Sequence, residues 1–444
     1  MAANTFPMAA GYGYQEMLEL LKAANIEITQ KDLDIALYQA ALGGHRSSTE
    51  YLMLIGADIN AKLDDKVYCT SLQAAAAEGH QVIVEILLQA KAHPNLLGGE
   101  YSTALQAASA FGYHTIVNIL LKAEADPNII GGHYGTALQA AAATEHQNIA
   151  EILLKAEAHP NLIGGEYGTA LQAAAARGHH TIVDILLKAK ADPNLVGGHY
   201  GTALQAAAAT EHQDIVEILL KAEAHPNLIG GEYGTALQAA AARGNQNIVD
   251  ILLQAKADPN LIGGYYGTAL QAAAAFGQQA IINLLLNAKA DTEIISGEYG
   301  TALQAAITEE HKNVVKILQA VTDKHQSNEI SSCPKDLVPY PFPDHLSSGQ
   351  VSASTNINEA MSNSLRSHPF HSGFEHSDPA KCPDCGCLLT NPNQQRWGLV
   401  SHKIVCGACG QYESRNGRVR LRELERNQRK SLQRIRTANK NRID

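Results

Sequence analysis

The sequence is poor in aromatic residues. Phe, Trp and Tyr make up 5 % of its 444 residues and there is a single Trp, little for a large β-sandwich or for an enzyme core built on aromatic packing. Long hydrophobic runs are missing as well: 18 consecutive apolar residues occur nowhere. Met1 to Tyr14 has no basic segment leading into an apolar one. The expectation is a chain that is neither secreted nor membrane-spanning. Cysteine is sparse, seven in all, too few for a disulfide scaffold, and five of them fall between Cys382 and Cys409. Such clustering points to metal binding before crosslinking. What is present is 45 % hydrophobic content, carried mainly by Ala and Leu, with 18 % charged residues. That excludes a wholly disordered chain and points to closely packed helices.

Charge is divided unevenly. From Gly410 to Asp444 there are eleven Lys and Arg against four acidic residues, a net of +7, so the residues before it carry −17 of the total −10. A short basic tail on an acidic body suits a polyanion at one end only.

The body is a repeat. Gln73, Gln106, Gln139, Gln172, Gln205, Gln238, Gln271 and Gln304 follow one another at intervals of 33, each within Leu-Gln-Ala-Ala. A weaker copy, Leu37-Tyr38-Gln39-Ala40-Ala41, precedes them one residue out of phase, which a longer loop around Asp64 and Asp65 would explain. A fixed period of this size is the signature of a solenoid. Within Gly168 to Tyr200, Thr169 can N-cap a helix beginning Ala170-Leu171-Gln172, and Gly178 can close it. Ile182, Val183, Ile185, Leu186 and Leu187 form the apolar stripe of a second helix. Pro193-Asn194 and Gly197-Gly198 break the chain into a loop and turn. Neither helix can bury its stripe alone, so neighbouring units must stack.

These residues resemble the ankyrin repeat family. The likeness rests on Gly168-x-Thr-x-Leu171, Ala173-Ala174, Gly178-His179, Ile182-Val183, Leu186-Leu187 and Ala191-Asp192-Pro193-Asn194, and it extends from about Leu37 to Val321. The family's Thr-Pro-Leu-His start reads Thr-Ala-Leu-Gln here, which gives up the pre-organising Pro but leaves Gln able to hydrogen-bond along the stack. Tyr14 to Ile28 resembles the second helix of a degenerate N-terminal cap. The resemblance implies an all-α repeat solenoid of helix-turn-helix units and hairpin loops that binds a protein partner.

A 66-residue period overlies the first: Tyr134 to Glu166 and Tyr200 to Glu232 differ only at Asn148/Asp214 and Ala150/Val216. Eight tyrosines, Tyr68 to Tyr299, recur at the same period. They read either as aromatic anchors on a concave strip or, as burial habits favour, as rings packed between adjacent hairpins. The Gln ladder reads as structural. His133, His159, His199 and His225 share their positions with Glu, Tyr and Asp in other units, so they read as exposed loop residues and not as metal ligands.

The expected organisation is a helical cap over 1–36, the array over 37–321, a disordered linker over 322–379, a zinc module over 380–425 and a basic tail over 426–444. Pro334, Pro339, Pro341 and Pro343 forbid regular helix in the linker. In the module, Cys382-x-x-Cys385 and Cys406-x-x-Cys409 are twenty residues apart. Four thiolates offer one structural Zn²⁺ a closed tetrahedral site, and metal binding would supply folding energy that so short a segment lacks. Cys387 is the spare thiol.

The module resembles a GATA-type zinc finger. Cys406-x-Ala408-Cys409-Gly410-x-Tyr412, then Asn416-Gly417 and Arg420, lie at the family's offsets, as do Cys382-x-x-Cys385-Gly386 and Thr390. It departs from the family in the late Trp397, preceded by Arg396, and in Gly407 and Gln411 where the family has Asn and Leu. The resemblance implies a helix in the major groove followed by a basic tail along the backbone. With that tail it makes Arg396, Trp397, Gln411, Tyr412, Arg415, Asn416, Arg418, Arg420 and Arg422 the candidate DNA contacts. Gln411 could pair with an adenine edge, and the arginines of the tail with phosphates.

The expectation is a nuclear, zinc-dependent DNA-binding regulator whose array recruits a protein. The alternative is a cytoplasmic adaptor whose finger is structural or protein-binding. No catalytic constellation or phosphate-cradling glycine loop is present, so no enzyme is expected. The purified chain should carry one equivalent of zinc, and Cys406→Ser should release it. Metal retained by that variant, measured by a colorimetric chelator assay, would contradict the ligand set.

Overall fold

The computed structural model describes residues 2–24, 27–63, 66–331, 395–397 and 404–406. The chain divides between Val338 and Pro339 into two units, which are taken separately. Among the described residues the first contains twenty helices in ten pairs, an inner and an outer helix to each. Every inner helix packs on its own outer partner and on the inner helices of the neighbouring pairs. One continuous core runs from Phe6 to Leu318.

The inner helices are short because their sequence starts and stops them. In Ala170–Arg177 the Thr169 side chain accepts from the Gln172 amide, and the Gln172 side chain accepts from the Thr169 amide, a reciprocal capping box. The same box opens the inner helices at Thr70, Thr103, Thr136, Thr202, Thr235, Thr268 and Thr301. Gly178 ends the helix in the left-handed conformation at φ 79°. Between cap and stop the residues are nearly all alanine, and in Ala137–Ala143 all seven are buried. Small side chains on every side let neighbouring inner helices approach closely. The outer helices bury a single stripe, in His180–Lys188 Ile182, Val183 and Leu186.

Three sets of polar contacts tie each pair to the next. The amide nitrogen of Gln172 donates to the Leu195 and Gly201 carbonyls of the following unit at 2.8 and 2.7 Å, while its oxygen accepts from Thr169 N at 2.7 Å. Gln172 is 1 % exposed, so these partners replace water completely. Equivalent clips recur from Gln73 to Gln271. On the other side of the unit, Asn161 donates to the Lys190 carbonyl and accepts from Asp192 N. The third contact runs backwards: the His80 and His179 rings bond the Leu42 and Ala143 carbonyls of the preceding inner helix. Burial lowers the pKa of His212 in this row, and the nearby His180 lowers it further.

The structure adds to the sequence reading at both ends. The cap has a complete first helix, Ala2–Gly11, before the expected second one, Gln15–Ala23. Pro7 inside it masks the pattern, although Phe6, Ala9 and Ala10 pack into the core. At the other end the last outer helix, Lys312–Ser331, is 20 residues long. Residues 322–331, assigned above to the linker, are therefore helical, since no Gly or Pro intervenes before Pro334. The remainder of that linker lies outside the described residues.

The left-handed stop after each outer helix falls on Lys91, Glu124, Glu157, Lys190, Glu223, Lys256 and Lys289, at φ 61–70°. That conformation costs a residue bearing a Cβ about 1–2 kcal/mol. Glu157→Gly should therefore stabilise the array by about 0.5–1 kcal/mol in urea denaturation, after the entropy gained by the unfolded chain. Gln172→Ala should cost about 3 kcal/mol, because it strands two buried carbonyls and one amide.

Candidate protein-binding face

The segment joining units is a tight hairpin, and its geometry sets the surface available. In Leu195-Val196-Gly197-Gly198-His199-Tyr200-Gly201, Gly197 and Gly201 form an antiparallel bridge. The hairpin tips are joined to each other as well. Glu100 N donates to Val67 O at 2.9 Å, His133 N to Glu100 O at 2.9 Å, and Glu166 N to His133 O at 3.0 Å. The series continues through His199, Glu232, Tyr265 and Glu298. The tips are thus locked into one backbone-bonded edge. Their side chains form an alternating row in which His133 lies 3.2 Å from Glu166, and His199 3.2 Å from Glu232.

Beside this edge runs an aliphatic ridge that the sequence reading passed over. Leu97, Ile130, Ile163, Val196, Ile229 and Ile262 recur at the unit period and are each 45–55 % exposed. Ile163 lies over the next hairpin at Gly197, where an added Cβ would sit 2.8 Å from its Cγ2. Glycine leaves room for that half-covered seat, and opposite Ile262 the small Ser296 takes the same place. Ile295, with no following hairpin, is 78 % exposed. The available signal was an apolar residue before every Gly-Gly or Ser-Gly turn, in a loop otherwise polar.

The tyrosines settle into the seams between hairpins. Tyr167 is buried, and Tyr134, Tyr200, Tyr233, Tyr266 and Tyr299 are partly buried against the core, so the packing reading holds. The Tyr101, Tyr167, Tyr233, Tyr266 and Tyr299 rings are each met by the residue ten positions on, at the end of its own inner helix. Phe111 packs on Tyr101 and Phe276 on Tyr266, with centroids 5.2 and 5.3 Å apart. The Arg177 and Arg243 guanidinium groups lie 5.5 and 5.6 Å from the Tyr167 and Tyr233 centroids. Tyr299 donates to Glu309 at 2.8 Å. From the N-terminal to the C-terminal end that position reads Glu78, Phe111, Thr144, Arg177, Thr210, Arg243, Phe276, Glu309. Nearly identical seams are thus distinguished by one variable side chain each.

His133, His159, His199 and His225 are exposed in loops, as expected. In the second unit two strands are described, β1 (Gln395–Trp397) and β2 (Ile404–Cys406). They pair antiparallel, with Gln395 opposite Cys406, Arg396 opposite Val405 and Trp397 opposite Ile404. Cys382, Cys385 and Cys409 lie outside the described residues, as do Gln411, Tyr412, Arg415, Asn416, Arg418, Arg420 and Arg422. Among the described residues, no three His, Cys, Asp or Glu side chains are grouped to hold a metal ion, and no helix is long and apolar enough to cross a membrane.

Comparison with known families bears on the array. The family described as ankyrin repeats (3 copies) matches residues 6–98, 37–131, 72–164, 105–197, 171–263 and 237–328, an unbroken span of more than half the chain. No curated protein matches the chain.

The seam tyrosines carry a pH dependence. Burial, then the neighbouring Glu78, pushes Tyr68 up to about 12. Burial, then the hydrogen bond to Glu309, raises Tyr299, and burial chiefly raises Tyr101, Tyr134, Tyr200 and Tyr233. A raised folded-state value means that the unfolded chain loses its protons first as pH rises. The stability these phenols contribute is present below pH 10, the ordinary tyrosine value, and is lost from there upward. Melting temperature should fall between pH 10 and 12, and less steeply in Tyr68→Phe/Tyr299→Phe; equal slopes would exclude the phenols as the cause.

Proposed function

The chain belongs to the ankyrin repeat family, and from that premise we propose that its array holds a protein partner along the hairpin edge, seated on the aliphatic ridge. Ankyrin repeats bind protein partners. The observation that carries the choice of face is the ridge itself: six half-exposed aliphatic side chains and Ile295 in one line, fixed to a backbone-bonded edge that pays little entropy on binding. The seam residues then select the partner, with Arg177 and Arg243 near the middle and Phe111 and Phe276 outside them. The inner helices between are alanine, too small and too buried to discriminate.

The same proposal gives the C-terminal module one structural zinc, held by Cys382, Cys385, Cys406 and Cys409, and a place on DNA in the nucleus. The donor set fits zinc, and the β1–β2 pairing supports the reading, since it delivers Cys406 at the end of a hairpin arm with Arg396 and Trp397 on the other strand. The basic residues from Arg415 to Arg442 would track phosphates. The protein is then a regulator that joins a partner on the array to a nucleic acid at the tail, with no catalytic role.

Two measurements test these halves independently. Ile163→Lys/Ile229→Lys should release partners captured by proximity crosslinking while the melting temperature stays unchanged, because both side chains are already half in water. Retained partners would move binding off the ridge. Titration of the full chain with random duplexes across a salt series should give affinity that falls steeply with salt and is lost in Cys406→Ser; binding indifferent to both would leave the protein an adaptor.

A further inference from the structure

The two ends of the array are not alike. In every internal pair, one side of the unit is covered by the pair before it. The left-handed glycines Gly13, Gly44 and Gly79, at φ 74, 72 and 79°, fix the alignment of the first pair with the later ones. Met8 occupies the position of Ala74 and Ala140, Tyr14 that of His45 and His80, and Met17 that of Ile83 and Ile116. Internally these positions are closed: the alanines are 0 % exposed, Ile83 and Ile116 at most 2 %, and the His45 and His80 rings bond a carbonyl of the preceding unit. In the first pair Met8, Tyr14 and Met17 are exposed, and so is Leu20, one turn along the same helix from Met17. Tyr14 stacks on Tyr12, itself 64 % exposed, which extends the patch toward a groove that Met8 and Tyr12 share with Ile35 and Gln39.

A solenoid normally ends in a polar outer face, because the terminal repeat has nothing to stack on. The C-terminal end has one. Gln304 is exposed there, Thr308 replaces the alanine of earlier inner helices, and Gln319 stands where Leu88 and Leu121 stand in earlier outer helices. Lys312 and Lys316 are also exposed, and among the described residues Ile295 and Ile307 are the exposed large apolar side chains at that end.

We infer that the N-terminal pair is a stacking face left apolar for a second copy of this chain, which docks N-terminal face to N-terminal face about a twofold axis. The patch is the surface that in every internal unit faces the pair before it, so it is a stacking surface left uncovered. The polar C-terminal face rules out the head-to-tail alternative, which would put Gln319 and Lys316 against Met17 and Leu20 and propagate without closing. The identical face offers a cluster of apolar side chains, Met17, Leu20, Tyr12 and Tyr14, on both sides. Two arrays joined this way form one solenoid-like body with twofold symmetry, whose hairpin edges, and the ridge proposed above, occur twice. The inference concerns a surface distinct from the ridge and stands without it.

Sedimentation equilibrium of the full chain from low to high micromolar concentration tests it. The mass should climb from 47.4 kDa to twice that value and no further. Met17→Glu/Leu20→Glu should hold the chain at the monomer mass at every concentration with an unchanged melting temperature, since both residues are exposed in the single chain. Ile163→Lys/Ile229→Lys and Cys406→Ser should dimerise as the parent does. A parent that stays monomeric, a mass that rises past two, or a dimer that survives Met17→Glu/Leu20→Glu or is lost in either control would each overturn the inference.

Discussion

A single side-chain amide holds the array in register. Each glutamine of the 33-residue period performs two tasks at once. Its oxygen completes the cap of its own helix, and its nitrogen reaches two carbonyls of the next unit. Local helix initiation and long-range stacking are therefore satisfied by the same buried group, and neither geometry can drift without breaking the other. The hairpin tips, the aliphatic ridge and the tyrosine seams all lie downstream of this arrangement, because the carbonyls that glutamine grips are those of the hairpin backbone. A surface built on loops is here as fixed as one built on strands.

Alanine has the complementary role. A helix of seven residues has little stability of its own, and the inner helices persist because the absence of large side chains lets their backbones close on one another. The consequence is that the inner helices present almost no chemistry at the surface. Chemical variety is left to the seam position and the hairpin tip, and exposed apolar surface to the ridge. The run from Glu78 through Arg177 and Arg243 to Glu309 gives an otherwise uniform surface a middle and two ends.

Much of this is legible in the sequence because the period repeats the same physical statement eight times. The Thr169–Gln172 cap, the Gly178 stop and the Ile182–Leu186 stripe each emerge as the spacing implies. What was hidden is what breaks a rule. Glu157 and Lys190 stand in a left-handed conformation that ordinarily selects glycine, so no residue type marks the turn. Pro7 disguises a helix that the core nevertheless requires. The ridge at Ile163 and Val196 looks like core because it is aliphatic, and only the glycines opposite show that it is half in water. Among the described residues of the C-terminal module, the pairing of Gln395 with Cys406 is the feature that bears on the cysteine spacing. The array is otherwise read from geometry, the module from composition and motif.

The 66-residue block has a meaning for the history of the chain. Since Gln139 and Gln205 meet the same carbonyls, and Asn128 and Asn194 the same backbone turns, the seam on either side of a block is interchangeable with the seam of the next. Removing or duplicating a block joins surfaces that already fit. Array length is thus a neutral variable, one that unequal exchange between near-identical segments of the gene can change in a single step while every contact stays native. Such an array can be lengthened or shortened to match a partner without redesigning any interface.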